Sequence, residues 1–230
     1  MVNSIRGGGV NVRRVLVMLV AAMCMAFVSP AAAAAAVVGQ WNMNELSGTT
    51  AFDSSGNGQN GTLTNVTLGL PGSSGAAGDY AFGFNGHSSK MIVPTSAALA
   101  AGNADVTVTM RIRTSVEPRT GDFDYDLWSK GGYQVELFPK NGKGQARCKF
   151  NSTAANHHIQ AGPDLADGRW HTIVCHKSAN SISVTVDGTT FTQAVTVGAL
   201  KTGKQAFIGV GSNGVDYYNG QLDALTVEFN

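Results

Sequence analysis

The 230-residue sequence predicts an all-β protein, an antiparallel sandwich of two sheets. Three observations carry that expectation. Apolar and polar residues alternate with a period of two in one segment after another. Clusters of Gly, Ser, Asn and Thr separate those segments, as turns require. After residue 37 no ten-residue stretch shows a convincing amphipathic helical pattern.

The elements follow in order. Arg6, Arg13 and Arg14 form a basic start, "VLVMLVAAMCMAFVSP" (15–30) a short apolar run, and "AAAAAA" (31–36) a small-residue cleavage zone. These are the parts of a secretory signal peptide, residues 1–36. The alternative is a membrane helix that stays uncleaved, since the run lengthens through the alanines. Arg13-Arg14 alone is weak evidence for a twin-Arg signal, and Met23 ahead of Cys24 fits lipoprotein processing poorly.

Residues 37–230 then form one domain, with no repeat and no linker long enough to divide it. Trp41 opens the first strand, and "DSSGNGQNGTL" (53–63) is a dense turn behind it. "TSAALAAG" (95–102) reads as one short turn of helix. "VTVTMRIRT" (106–114) alternates cleanly, with Val106, Val108, Met110 and Ile112 on one face. "YQVELF" (133–138) repeats the pattern, while "ARCKF" (146–150) and "WHTIVCHK" (170–177) are further strands joined by a turn-rich loop. "SISVTVDGTTF" (181–191) is a hairpin turning at Asp187-Gly188. "QLDALTVEF" (221–229) closes the chain.

Charge narrows the function. Removing the three leader arginines leaves 13 basic residues against 15 acidic ones, a net of −2. Nucleic acid is therefore not an expected partner. Of three cysteines, only Cys148 and Cys175 remain after cleavage. An even count in an exported chain points to a disulfide between neighbouring antiparallel strands, against the alternative of two buried thiols. The bridge would close about 27 residues and contribute about 3 kcal/mol.

The order of motifs resembles a known family. "WNMNELSG", "DSSGNGQNGTL", "FGFNG", "MIVP", "VTVTMRIRT", "LWSKGG", "DGRWHTIVCHK", "SVTVDG" and "YYNGQLDALTV" are similar to the laminin-G-like, concanavalin A-like module from about Val37 onward. The paired cysteines look like those of its secreted bacterial branch. The resemblance implies a jelly-roll sandwich, usually a binding module, often with one Ca²⁺ at the rim. Asp53 would supply one carboxylate, Asp223 of the last strand the second, and Asn57 and Asn60 amide oxygens. Asp223-Ala224 stands where the family commonly has Asp-Glu. The competing reading of Asp53 is an Asx turn bonded to backbone N–H groups.

Catalytic members of the same sandwich carry paired glutamates on one strand. This chain has only Glu45, Glu117, Glu136 and Glu228, no two on one strand, so it is not expected to be an enzyme. Asp122, Asp124 and Asp126 of "DFDYD" alternate, but a solvated loop is the favoured reading. His157-His158 and His171/His176 point to opposite faces, so no zinc site forms. Trp41 and Trp170 read as core residues, and Trp128 with them. Phe123, Tyr125, Tyr217 and Tyr218, in polar loops, are the candidate sugar platforms, with loop anchors as the alternative. The expectation is a secreted, non-catalytic, lectin-like module for extracellular glycan with no membrane segment after cleavage. Alternatives are an adhesive domain that binds extracellular protein and, behind it, a glycan-degrading enzyme.

Overall fold

The computed structural model describes Gly7, residues 35–118 and residues 124–230. Residues 1–34 of the proposed signal peptide (apart from Gly7), together with Asp122 and Phe123, lie outside the described residues; Ala35 and Ala36 are described, and Ala36 opens the first strand. The chain divides into Met1–Ala32 and Ala33–Asn230, and the second unit holds every described strand. Among the described residues no helix forms, so none is long and apolar enough to cross a membrane. "TSAALAAG" makes only a tight turn, closed by Ala100 N donating to Ala97 O at 3.1 Å.

In chain order the strands are β1 (Ala36–Trp41), β2 (Thr50–Ala51), β3 (Gly61–Thr64), β4 (Thr67–Pro71), β5 (Tyr80–Asn85) and β6 (Lys90–Val93). Next come β7 (Val106–Arg113), β8 (Tyr125–Lys130), β9 (Tyr133–Lys140), β10 (Lys143–Asn151) and β11 (Asn156–Ala161). The last are β12 (Trp170–Lys177), β13 (Ser181–Val186), β14 (Thr189–Ala194), β15 (Ala206–Ile208) and β16 (Asn219–Phe229). Sheet A runs β14-β13-β12-β7-β16-β5-β4, with β1 also paired to β16; sheet B runs β11-β10-β9-β8-β15-β6-β3-β2. Every pairing is antiparallel.

Alternation decides what each strand buries. Val106, Val108, Met110 and Ile112 of β7 face inward, and so do Tyr133, Val135 and Leu137 of β9. Trp41, Trp128 and Tyr133 form an aromatic chain through the core, with ring centroids 5.8 and 5.9 Å apart. Trp170 is different. On β12 the inward parity belongs to Ile173 and Cys175, which leaves Trp170 only partly covered on the other face. It is not a core residue.

The first strand lies beside the last, as a jelly roll demands. β16 pairs β5 through Asn219–Leu222 and β1 through Leu225–Phe229. Between those halves its register with β7 shifts, and Ala224 there takes φ = 50°. The β13–β14 hairpin turns on Asp187 (φ 47°) and Gly188 (φ 83°), both in the left-handed region that a two-residue turn needs.

Cys148 and Cys175 form a disulfide, with Cα atoms 5.5 Å apart. The expected placement on adjacent strands of one sheet needs correction. Cys148 is on β10 of sheet B and Cys175 on β12 of sheet A, so the bridge crosses the core. The turn-rich connection holds a further strand, β11, which pairs with β10 and lets the chain change sheets before β12.

Candidate functional site

The inward parity of β8, β9 and β10 leaves polar residues on the outer face of sheet B. The register sets Glu136 opposite both Asp126 and Arg147, and Gln134 opposite Lys149. A bulge between Asp126 and Trp128 lets both of these neighbours be buried. "DFDYD" is thus not a solvated loop where it is described. Asp126 belongs to β8, and Asp124 and Asp126 are only 8% and 6% exposed.

These side chains form one network. Arg147 Nε donates to Glu136 Oε2 at 2.6 Å, and its Nη2 to Asp124 Oδ2 at 2.9 Å. Lys149 Nζ reaches Glu136 Oε1 at 2.8 Å. The Arg147 guanidinium lies 3.4 Å from the Phe138 ring centre, a cation–π contact that fixes its plane. Asp216 approaches from the loop after β15, itself at φ = 61°. Together they line a pocket of about 450 Å³ with Gln134, Ser212 and Asn213.

Burial first, then the Glu136 charge, pushes Asp124 up to about 7 against the pull of Arg147. Burial, Glu136 and Asp124 push Asp126 up to about 8. Burial also raises Asp216. The physical cause is shared: carboxylates crowded out of water resist ionising together.

A second pocket of about 440 Å³ adjoins the first and shares Asp124 and Asp216. Tyr125, Tyr217, Val116 and Val215 supply its apolar lining. Two of the expected sugar platforms therefore meet here. Tyr218 does not join them. It is fully buried, its hydroxyl donating to Arg113 O at 3.0 Å and Gln221 O at 3.2 Å, and its ring sits edge-on to Tyr125 at 5.7 Å. It is the loop anchor of the pair.

The residues expected to hold calcium at the rim have other partners. Asp53 Oδ1 accepts from Gln40 N and Ser55 N, both at 2.9 Å; Oδ2 accepts from Ser55 Oγ and Gln59 N, both at 2.8 Å. Burial opposes its ionisation, but the hydrogen bonds outweigh it and hold its pKa below the usual value. Asn60 Oδ1 accepts from Asp53 N at 2.9 Å, and Asn57 Nδ2 donates to Val37 O at 3.0 Å. Asp223 Oδ2 accepts from Ser73 N at 2.8 Å, and the backbone register of β16 with β7 sets Asp223 opposite Arg111. Four donors already surround the Asp53 carboxylate, so this set does not fit a Ca²⁺ shared with Asp223. It fits the Asx turn, whose purpose is local: Gln59 O, held in that loop, accepts from buried Trp41 Nε1 at 2.9 Å.

Among the described residues one cluster of three His, Cys, Asp or Glu could hold an ion: Asp124, Asp126 and Asp216, with one oxygen of each within 4.8 Å of the others. His157 and His158 lie on β11, and His176 pairs with Thr107. His171 bridges Asp187 and Asp167, at 2.7 and 3.0 Å. A signal for the acidic site did exist in the sequence. Gln134-x-Glu136 and Arg147-x-Lys149 are polar i,i+2 pairs on β9 and β10, and Asp124-x-Asp126 is a third that runs into the start of β8; such pairs share a face when the strands pair in register.

No curated protein sequence matches the chain. Among solved structures, mouse laminin alpha1 domains LG4-5 match at 18% identity with a TM-score of 0.50, covering 64% of this chain and 40% of that one. The binding domain of botulinum neurotoxin DC in complex with SialylT matches at 13% identity and TM-score 0.59, covering 84% and 47%. Domain 4 of AbnA, a GH43 extracellular arabinanase from Geobacillus stearothermophilus in complex with arabinotriose, matches at 17% and 0.59, covering 85% and 93%. The chain thus spans less than half the length of the laminin and neurotoxin structures. At these identities the likeness shows the sandwich fold. A family model, Laminin_G_3, described as the concanavalin A-like lectin/glucanases superfamily, matches residues 85–228, and the chain belongs to that family.

Proposed function

We propose that this chain is a secreted, non-catalytic recognition module that binds extracellular carbohydrate on the outer face of sheet B. Two adjoining pockets that share Asp124 and Asp216 carry the reading. One offers carboxylates and a guanidinium, which pair with sugar hydroxyls as acceptors and donors. The other offers Tyr125 and Tyr217, whose ring faces suit the C–H face of a sugar. Two similar folds, a neurotoxin binding domain and an arabinanase domain, are recorded with SialylT and arabinotriose. The laminin-G-like fold and the disulfide are typical of extracellular proteins.

A glycan array, followed by calorimetry on the best hit, tests the proposal. Arg147→Ala and Tyr217→Ala should each weaken binding at least about tenfold, the loss of one or two good contacts. An array without hits, or affinity unchanged in both variants, removes it. A pure protein ligand would instead favour an adhesive role.

One observation favours a second reading, a glycan hydrolase. Asp124 and Asp126 are buried carboxyls with raised pKa beside Glu136, the kind of group that serves as a general acid. Against it, Glu136 is held by two ion pairs and is not free to attack. Release of reducing ends from a bound glycan, lost in Asp126→Asn, would establish it.

A further inference from the structure

We propose that Asp124, Asp126 and Asp216 hold one Ca²⁺ ion in the pocket on the outer face of sheet B. The site stands independently of any glycan. Oxygens bound to one ion at about 2.4 Å lie at most about 4.8 Å apart. The three carboxylates meet that limit.

Proximity alone would not suffice, since acidic groups cluster without ions. The second observation is Asp126. Its side chain is more than nine-tenths buried, yet its Oδ1 is sealed from solvent without a hydrogen-bond partner. Asp216 Oδ1 is in the same condition. A buried acceptor left unpaired is unfavourable and rare, and here two belong to one three-carboxylate cluster.

Charge points the same way. Among the described residues, Asp124, Asp126, Glu136 and Asp216 face only Arg147 and Lys149 in this pocket. Both cations are turned to Glu136, and Arg147 also to Asp124. With all four carboxyls ionised, two negative charges are left over among these groups, which one divalent ion would match.

The loop adds neutral oxygens. A Cβ on Gly211 would stand 2.5 Å from Asn213 Oδ1, 2.7 Å from Asp126 Oδ2 and 3.0 Å from Val215 O. These atoms gather in a small space that only glycine leaves open. A set of oxygens alone, irregular and without His or Cys, suits Ca²⁺ better than Zn²⁺ or the strict octahedron of Mg²⁺.

The test is calorimetric titration of the chelator-stripped secreted chain with CaCl₂ alone, at a pH above 8. Wild type should take up one equivalent, and millimolar Ca²⁺ should raise its melting temperature. Asp126→Asn and Asp216→Asn should each weaken uptake at least about tenfold, as losing one charged ligand does. Asp53→Asn should bind as wild type does. The half-buried Asp216 keeps the test open if Asp126→Asn folds poorly. No uptake by wild type overturns the proposal, as does uptake that survives both Asp126→Asn and Asp216→Asn or is lost only in Asp53→Asn.

Discussion

Asp126 and Asp124 have their carboxyls pushed up to about 8 and about 7, against 3.8 for an ordinary Asp. In chelator the folded chain keeps protons there that the unfolded chain has released. Stability should therefore fall as pH rises from about 4 to about 8 and level off above that. Melting temperatures across that range in chelator measure it; Asp126→Asn should flatten the slope, and a wild-type curve that climbs instead would refute it. His171 adds in the same direction. Burial works against its charged form, but the hydrogen bonds its ring nitrogens donate to Asp187 and Asp167 prevail and raise its pKa. Its contribution is complete below about 6.5 and fades as pH climbs through the raised value. Asp53 acts at the other end of the scale. Asp53→Ala strips the acceptor from three backbone N–H groups and should cost about 2 kcal/mol, allowing for water at a partly exposed turn. That loss should be the same in chelator and in Ca²⁺, by chemical denaturation. At this scale the sequence showed that Asp53 mattered but not why. Its neighbours Gly, Ser and Asn suit converging carbonyls and converging N–H groups equally well.

β16 shows what a strand pattern conceals. "QLDALTVEF" reads as one unbroken strand, yet Ala224 takes φ = 50° where the neighbour on one side changes from β5 to β1. Alanine gives no warning of a left-handed position, which costs a residue with a Cβ about 1–2 kcal/mol. Ala224→Gly should relieve that strain. After the entropy glycine loses on folding, the net gain should be about 0.5 kcal/mol, where glycine elsewhere in a strand destabilises. Urea unfolding of the variant decides it, and a clear loss would mean the bulge is held without strain. β7 was legible because its alternation is clean over eight residues. β2 and β15, of two and three residues, are too short to carry a period. The Asp187-Gly188 hairpin was legible because its turn chemistry is specific.

Across the whole molecule, alternation and turn spacing imply a sandwich but not which sheet each strand joins. Strand periodicity reports an inner face and an outer face, and the same pattern suits either sheet. That is why the disulfide was foreseen between the right residues and placed in the wrong plane. The candidate site was hidden for a related reason: its parts are dispersed over β8, β9, β10 and the 211–216 loop, and only sheet pairing assembles them. Tyr125 and Tyr217 could be found as aromatics in polar surroundings, while Tyr218, next in sequence, is their buried support. Replacing both cysteines with alanine should lower stability by about 3 kcal/mol through the unfolded chain alone, and by more once the lost packing is added. Denaturant unfolding of the double variant measures this, and a loss well below that would mean that the unfolded chain already holds the loop closed. The bridge has one more consequence. Cys148 and Cys175 are 0% and 1% exposed, enclosed between two packed sheets. No reagent reaches those sulfurs while the sheets stay closed. The bond is therefore a record of where the chain was assembled: it must meet its oxidant before the sandwich shuts, and afterwards a reducing surrounding can erase it only at the rate at which the protein opens.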